Sequence, residues 1–351
     1  MLLSVPSTSA AHFRASDCVA DARSVFLKQR NGCSEVPWAE AVASAVPNRP
    51  SPVTYVNVGA NKGYKVPEFL ALWSQQPIPG HLKGWQSHLV KYANRNKFRY
   101  LAQYSCGNCK DCQGTMPAPH NRSGARMHLL ELATANRALL RHMLDAESLS
   151  GRVILHNLAA SNVSHPLLAY KGLLAGDERG AALIGKKARR FVNASAADRV
   201  EGIALDDFFR RERLESIYHV AIDTEGWDAL VVEGMRESLK QRRVSLIEFE
   251  VNNRGMWNRL MSRGEARTVN GTLNLLHASG YACFWVLTRA LLPASGACWL
   301  DAYGGRPAWS NMVCAHEPPV IAALSRIAEE GFAARRERRA AKGAGEAART
   351  L

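Results

Sequence analysis

The sequence predicts an α/β protein with a mostly parallel sheet that is covered by helices on both faces. Runs rich in β-branched and aromatic residues, such as 53–58, 218–223 and 244–250, alternate with segments of helical periodicity. The chain has 351 residues, of which 47% are hydrophobic. A chain of this size can bury the core of one large domain with additions, or of one domain and a small subdomain.

The first strand is predicted at 53–58, where Gly59 ends it, and a helix continues to about Trp73. Pro67 lies either in the first turn of this helix or at a kink. Thr134 is expected to cap a further helix. Additional helices are predicted at 20–29, at 225–239 and ending at 279. The later strands are predicted at 126–132, 152–158, 218–223, 244–250, 281–287 and 309–315, with an irregular loop or a hairpin over 165–200.

Composition shifts divide the chain into three parts around this alternation. We predict an N-terminal extension over 1–52, the main domain over 53–318 and a basic tail over 319–351. Within the main domain, residues 75–125 interrupt the pattern with a basic, cysteine-containing insertion bracketed by prolines. The tail from Ser325 onwards is rich in Ala and Arg and is expected to be a solvated helix or disordered.

The chain carries a formal net charge of +14, which favours anionic partners such as nucleic acid, phosphorylated or sulfated substrates, or an acidic membrane surface. The alternative is a soluble enzyme whose charge has no specific partner. No apolar run approaches the ~18 residues of a membrane span. The first residues also lack the basic leader and long apolar run of a secretory signal. The compartment stays open, with a cytoplasmic location slightly favoured.

A glycine turn, Gly59-Ala60-Asn61-Lys62-Gly63, follows the first predicted strand. In α/β folds ligands bind beyond the carboxyl ends of the strands, where glycine lets the backbone approach closely. The spacing differs from the glycine patterns that bind dinucleotides or nucleotide phosphates. It suits a ligand without phosphates, such as S-adenosylmethionine. The alternative is an ordinary strand-to-helix turn.

Carboxylates follow three further strands. Glu131 ends the next strand, where it can accept hydrogen bonds from ribose hydroxyls or act as a carboxylate at a helix N-terminus. Asp223 and Glu225 follow the strand at 218–223, and Glu248 and Glu250 lie in the strand at 244–250. Such acids can bind an amino group, hold a metal or accept a proton. The alternative is that they stabilise a helix dipole or are solvated.

In combination, these motifs resemble the FkbM family of methyltransferases. The matching segments are 55–64 (YVNVGANKGY), Glu131, 203–208 (IALDDF), 220–228 (VAIDTEGWD), 231–235 (VVEGM), 247–250 (IEFE) and 275–281. The resemblance covers roughly residues 53–316 apart from the insertion. It implies a Rossmann-like class I methyltransferase fold with a mostly parallel seven-stranded sheet. It also implies S-adenosylmethionine as methyl donor, and usually O-methylation of a sugar, a polyketide or a related natural product.

The resemblance also implies roles for individual residues. Gly59, Ala60, Asn61 and Gly63 would line the methionine end of the cofactor, and Glu131 would hold the ribose. Asn157 and Ala159 would border the adenine. Asp223 and Glu225 would face the transferring methyl group or the acceptor. Asn57 departs from the family, which usually has Asp at this position, so a negative charge near the cofactor's ammonium group is missing.

Methyl transfer to a neutral hydroxyl group needs alignment of the acceptor and activation by a base or a metal. The candidates for this role are Asp223, Glu225 and Glu250. His156 and His219 are weaker candidates, because a lone histidine near a strand is more often structural.

The insertion contains Cys106, Cys109 and Cys112, with His120 eight residues further on. These four side chains are candidates for a zinc site. The alternatives are one disulfide with a free thiol, or unpaired thiols. Of the other five cysteines, Cys283, Cys298 and Cys314 lie in apolar or strand-like surroundings and are expected to be free thiols. A chain of this length does not need disulfides for stability.

Basic and aromatic residues alternate in the insertion, as at Lys83, Trp85, Lys91, Tyr92 and Arg95. This pattern is typical either of a surface that binds single-stranded nucleic acid or an anionic glycan, or of a cap with buried aromatic rings and solvated charges. In both cases we expect the insertion to cover the acceptor pocket. The favoured partner is a small-molecule or glycan hydroxyl acceptor. A nucleic-acid methyltransferase and a non-catalytic cofactor-binding protein are the alternatives.

Overall fold

The computed structural model describes residues 13–47, 49, 52–74, 81–95, 124–171, 197–258, 267–304 and 309–347. The strands are β1 (Val53–Val58), β2 (Ala125–Leu130), β3 (Val153–His156), β4 (Leu158–Ser161), β5 (His165–Lys171), β6 (Ala197–Ala204), β7 (Ile217–Ile222), β8 (Val244–Val251), β9 (Ala282–Val286), β10 (Leu291–Pro293) and β11 (Ser310–Ala315). The helices are α1 (Ala22–Gln29), α2 (Trp38–Ala45), α3 (Lys65–Trp73), α4 (His81–Arg95), α5 (Thr134–Ala146), α6 (Leu205–Arg211), α7 (Asp228–Glu233), α8 (Arg236–Lys240), α9 (Val269–Ala278) and α10 (Pro318–Ala347).

The main sheet has eight strands in the order β10-β9-β11-β8-β7-β1-β2-β3. Strands β3, β2, β1, β7 and β8 are parallel, and β11, β9 and β10 add antiparallel pairs at one side. The predicted α/β class with a mostly parallel sheet is therefore confirmed. The sheet has one strand more than the resemblance implies, because three residues at Leu291–Pro293 pair with β9 at the edge. A second sheet has the order β4-β6-β5, which favours the hairpin interpretation of 165–200.

The register of the central strands brings the predicted site residues to one edge. Val58 in β1 pairs with Leu130 in β2 and with Ile222 in β7. The next residue of each strand is therefore at the same level, and these residues are Gly59, Glu131 and Asp223. All six residues of β7 are buried, as expected for a parallel strand that is covered on both faces.

Helix α4 lies inside the predicted insertion and packs against α3 and α5. Leu82, Trp85 and Leu89 are buried, and the indole N–H of Trp85 donates to the carbonyl of Lys62 at 2.8 Å. Lys91, like the other basic side chains of α4, is exposed. For residues 81–95, the structure has the aromatic ring buried and the charges in solvent, as in the cap interpretation.

Two predicted helices differ from the structure, one by a division in its middle and one in its N-terminal cap. The helix predicted over 225–239 is divided into α7 and α8 at Gly234, where a Cβ atom would stand 2.1 Å from the carbonyl oxygen of Ser161. The carboxylate of Asp206 accepts the N–H groups of Glu237 and Ser238 at 2.9 Å and caps α8. The predicted cap of α5 is also wrong, because its N-cap is Ala133, without a side-chain hydrogen bond. Pro67 lies in the first turn of α3.

The helices at both ends of the described chain pack on the sheet. Phe26 of α1 contacts the rings of Trp285 and Tyr303, at centroid distances of 5.1 and 4.9 Å. Helix α10 packs against α2 and buries residues as far along as Phe332. The predicted tail from Ser325 therefore begins as a packed helix. In the part of the chain that the structure describes, no helix is long and apolar enough to cross a membrane.

The expectation of free thiols is wrong for Cys283, Cys298 and Cys314. Cys283 is bonded to Cys314, and Cys298 is bonded to Cys18. Cys33 is also disulfide-bonded. The cause is tertiary, because the antiparallel register of β9 and β11 places Cys283 directly opposite Cys314. Cys106, Cys109, Cys112 and His120 lie outside the described residues.

Candidate active site

The turn after β1 is built on left-handed backbone at Gly59, Asn61 and Gly63, with φ angles of 85°, 46° and 76°. The N–H groups of Gly59 and Ala60 both donate to the carbonyl of Leu130, at 2.9 and 3.2 Å. These bonds extend the β1–β2 pairing into the turn. The turn is therefore held against the end of β2, where Glu131 follows.

The two glycines of this turn are required by protein contacts. A Cβ atom at Gly59 would stand 1.9 Å from the carbonyl oxygen of Asp223. A Cβ atom at Gly63 would stand 2.6 Å from Leu140 and 3.0 Å from Trp85. Glycine is therefore needed at both positions whether or not a ligand approaches the turn. Positive φ angles and tight packing explain both positions.

Glu131 connects the turn to the start of α5. One carboxylate oxygen accepts the N–H of Asn61 at 2.7 Å, and the other accepts the N–H of Ala133 at 2.8 Å. The side chain is only 5% exposed, and this burial raises the pKa of its carboxyl group. Each oxygen has a second lone pair. The side chain of Asn136 also donates to this carboxylate, so Glu131 is a fixed acceptor at the sheet edge with capacity for about one more donor.

The other three predicted cofactor residues flank this position. Asn57 is buried in β1, where it pairs with Leu129 of β2 and Ala221 of β7. Asn157 is exposed directly after β3, which is the neighbour of β2. Ala159 is buried in β4, two residues further along the chain. Asn57 thus lies below the glycine turn, and Asn157 lies at the far end of the same edge.

The predicted catalytic carboxylates follow β7 or lie near the end of β8. The N–H of Asp223 donates to the carbonyl of Val58 at 2.9 Å, which places this residue beside the glycine turn. Glu225 has a φ of 54° and forms an ion pair of 2.5 Å with Arg254. Glu250 accepts hydrogen bonds from the indole N–H of Trp309 and from the side-chain amide of Asn252.

The turn after β7 rests on the segment after β8. A Cβ atom at Gly226 would stand 2.6 Å from the backbone of Arg254. The N–H of Met256 donates to the carbonyl of Gly226 at 2.7 Å. Glycine is therefore needed in the 223–226 turn because another backbone crosses it. This crossing brings Arg254 to Glu225.

Asp228 completes a group of four neighbouring carboxylates, called the acidic group below, whose members are Asp223, Glu225, Asp228 and Glu250. Asp228 was not among the site residues predicted from the sequence. It is fully buried, and its carboxylate accepts the N–H groups of Thr224 and Gly226 at 3.3 and 3.2 Å. Burial, followed by the charge of Asp223, raises the pKa of Asp228 to about 8. Burial and the charges of Asp228 and Glu225 also raise the pKa of Glu250 well above its usual range. These carboxyls therefore exchange protons near neutral pH.

Sequence analysis also missed Asn252, Arg254 and Trp309. Asn252 and Arg254 follow β8 within four residues, so their position after a strand end was a usable signal. Trp309 directly precedes β11, and Asn311 of that strand pairs with Glu250. Contact between Trp309 and Glu250 depends on the β8–β11 register, which the local sequence pattern does not contain.

Comparison with known proteins gives a family match. The family model described as methyltransferase FkbM domain matches residues 21–281. No curated protein is significantly similar to the chain.

Solved structures that resemble the chain include methyltransferase FkbM from Methylobacillus flagellatus, with 9% identity and a TM-score of 0.39. The match covers 85% of this chain and 56% of that protein, so this chain spans little more than half of its length. The O-methyltransferase from Bacillus cereus in complex with SAH has 11% identity and a TM-score of 0.32, covering 84% of this chain and 87% of that protein. The SAM-dependent methyltransferase from Agrobacterium tumefaciens has 9% identity and a TM-score of 0.31, covering 80% and 60%.

Proposed function

Because the chain belongs to the FkbM methyltransferase family, we propose that it transfers a methyl group from S-adenosylmethionine to a hydroxyl group of a glycan or a small natural product. The observation that carries this proposal is the position of Glu131. Its carboxylate is fixed by two backbone N–H groups, and the register puts it at the same sheet edge as Gly59 and Asp223.

The side chains at this edge fit the methyl donor. Ribose presents two neighbouring hydroxyl donors, and the carboxylate of Glu131, which also accepts from Asn61, Ala133 and Asn136, keeps acceptor capacity for one of them. The donor also carries a positively charged sulfonium and an ammonium group, which acidic side chains stabilise. Asp223 lies on the opposite side of the glycine turn from Glu131, so a ligand that spans the turn reaches both carboxylates. When bound, the donor supplies an electrophilic methyl group.

The acidic group supplies the base that a neutral hydroxyl needs. A carboxylate whose pKa is raised towards neutral is a stronger base than an exposed one, and it still ionises under physiological conditions. Glu250 meets this condition, and Trp309 and Asn252 fix the position of its two oxygens. We assign proton acceptance to Glu250 and charge stabilisation beside the methyl group to Asp223.

Glu225 has a different role in this proposal. The carboxylate of Glu225 is paired with Arg254, and this ion pair joins the turn after β7 to the segment after β8. Both segments border the place where an acceptor meets the acidic group. Glu225 therefore orients the acceptor side of the site, and alignment of the acceptor oxygen behind the methyl group accounts for several kcal/mol of catalysis.

The test is a transfer assay with radiolabelled methyl donor and four acceptor pools: glycans, lipids, polyketide-like alcohols and RNA. We expect label on a hydroxyl group, with transfer reduced by about 100-fold or more in Glu250→Gln. Glu329→Gln, which changes an exposed carboxylate on α10, is the matched control and should keep full activity.

Nucleic acid is the competing acceptor, because the chain has a net charge of +14. Label on RNA alone, with binding that weakens steeply as salt is added, would replace the hydroxyl proposal by this alternative. Full turnover in Glu250→Gln would remove this residue from the mechanism.

A further inference from the structure

A second group of ionisable side chains lies away from the acidic group, between β2, β3 and the end of α6. His128 pairs with Ile154, and His156 pairs with Leu130. The two histidines are therefore diagonal neighbours on one face of the sheet. Glu212 follows α6 directly. One ligand atom from each of the three side chains lies within 4.8 Å of the other two.

The distances within this group suit a metal ion. Nδ1 of His128 is 3.1 Å from Nε2 of His156, and Nδ1 of His156 is 3.9 Å from a carboxylate oxygen of Glu212. Ligand atoms on one tetrahedral zinc ion are about 3.3 Å apart, because each bond is about 2.0–2.2 Å long. One ion binds a single nitrogen of His156, so the three ligand atoms, which lie within 4.8 Å of one another, need to approach by about 1–2 Å to reach the spacing of a coordination site.

The protonation state also suits a metal. Burial lowers the pKa of His128 to about 4 and lowers the pKa of His156, so both rings are neutral at physiological pH. Neutral imidazole is the form that binds metals.

The surroundings hold the rings and leave the carboxylate accessible. Phe208 of α6 contacts both imidazoles edge to face, at 5.8 and 5.0 Å between centroids. Arg211 lies 3.6 Å from Glu212, but its closer partner is Glu201 at 2.9 Å. The side chain of Glu212 is 25% exposed, so an ion can enter from this side.

We propose that His128, His156 and Glu212 bind a divalent transition-metal ion of the zinc type. Two imidazole nitrogens and one carboxylate oxygen are a common ligand set for such ions, with remaining positions filled by water. The ion would stabilise the pairing of β3 with β2. This pairing lies next to the proposed cofactor site, because the carbonyl of His156 accepts the N–H of Glu131 at 3.2 Å. The proposal does not depend on the identity of the methyl acceptor.

The test is titration of tag-free, metal-stripped protein with Co²⁺, followed by visible absorption and by competition with Zn²⁺. His156→Ala and Glu212→Gln change the partly exposed ligands. His165→Ala, on β5 outside the group, is the matched control. We expect about one ion at this site, and affinity reduced by about tenfold or more in both ligand variants. The control should bind as the parent does.

Absorption separates this site from the cysteines of the insertion. Cobalt bound by thiolates has a strong charge-transfer band, whereas cobalt bound by imidazole and carboxylate lacks it. Chelation by EDTA should lower the melting temperature of the parent and leave that of His156→Ala unchanged. Equal Co²⁺ uptake in the parent and in folded His156→Ala would overturn the proposal. So would a parent protein that binds no Co²⁺ other than the ions whose absorption shows thiolate ligands. The group would then be a hydrogen-bonded pair of histidines beside a carboxylate.

Discussion

The raised pKa of Glu250 predicts a specific pH dependence of stability. Burial and the charges of Asp228 and Glu225 keep this carboxyl protonated in the folded chain at pH values where it ionises in the unfolded chain. The folded state then binds one proton more than the unfolded state, so the free energy of unfolding falls as pH rises. The slope is about 1.4 kcal/mol per pH unit for each excess proton.

Glu250→Gln removes this excess proton. Its free energy of unfolding, compared with the parent, should therefore increase by about 2 kcal/mol between about pH 5.5 and pH 7. Loss of the hydrogen bond from Trp309 or from Asn252 adds a constant offset but does not change with pH. The buried histidines contribute equally to both proteins and cancel in the difference.

Urea denaturation followed by tryptophan fluorescence measures this difference at several pH values. The exposed control Glu329→Gln should show no trend, because its charge stays in solvent in both states. A difference between Glu250→Gln and the parent that stays constant over this range would refute the reasoning. Glu250 would then be ionised in the folded chain near neutral pH, and its assignment as a base with raised pKa would fail.

The remaining predictions concern stability. Gly59→Ala should destabilise the fold by at least about 3 kcal/mol, because its Cβ would clash with the backbone of Asp223 at positive φ. The control Gly151→Ala, which has open space around its Cβ, should change the free energy of unfolding by less than about 0.5 kcal/mol. Equal urea midpoints for Gly59→Ala and Gly151→Ala would contradict the packing argument. Replacement of both Cys18 and Cys298 by Ser should cost about 3–5 kcal/mol, because this disulfide closes a separation of 280 residues. Thiol titration of the unfolded parent checks the pairing, and free thiols at both positions would contradict it.

The fold was predictable where local pattern and tertiary structure agree. Apolar runs ending in glycine or a carboxylate identified β1, β7 and β8, because parallel strands buried on both faces need nearly continuous apolar sequence. The position of Glu131 was also predicted, although residues 75–125 separate it from Gly59. Strand pairing restores this neighbourhood, since β2 pairs with β1 whatever the length of chain between them.

Other features depend on contacts between distant segments. Where the predicted helix divides, the carbonyl of Ser161 leaves no room for a side chain at Gly234, and the carboxylate of Asp206 caps α8. The disulfide between Cys283 and Cys314 follows from antiparallel register. Propensity and periodicity describe neighbours within a few residues, so they contain no information about these contacts.

The same distinction explains the site. Gly59, Asp223 and Glu131 lie at strand ends, which a linear pattern identifies. Asp228 was part of a recognised motif, but its burial and its raised pKa become evident only when the turn after β7 folds around it. Trp309, the residue before β11, donates to Glu250 of β8. Sequence therefore located the edge, and the three-dimensional packing determined its electrostatics.

The most direct measurement of the central claim is calorimetric titration of S-adenosylmethionine into the parent and into Glu131→Gln. The account predicts a single saturable site in the parent and an affinity lower by about tenfold or more in the variant, because the amide removes the charge and one acceptor for the ribose hydroxyls. Circular dichroism confirms that the variant is folded. Equal affinity in both proteins, or no binding heat with the folded parent, would contradict a cofactor site between Gly59, Glu131 and Asp223.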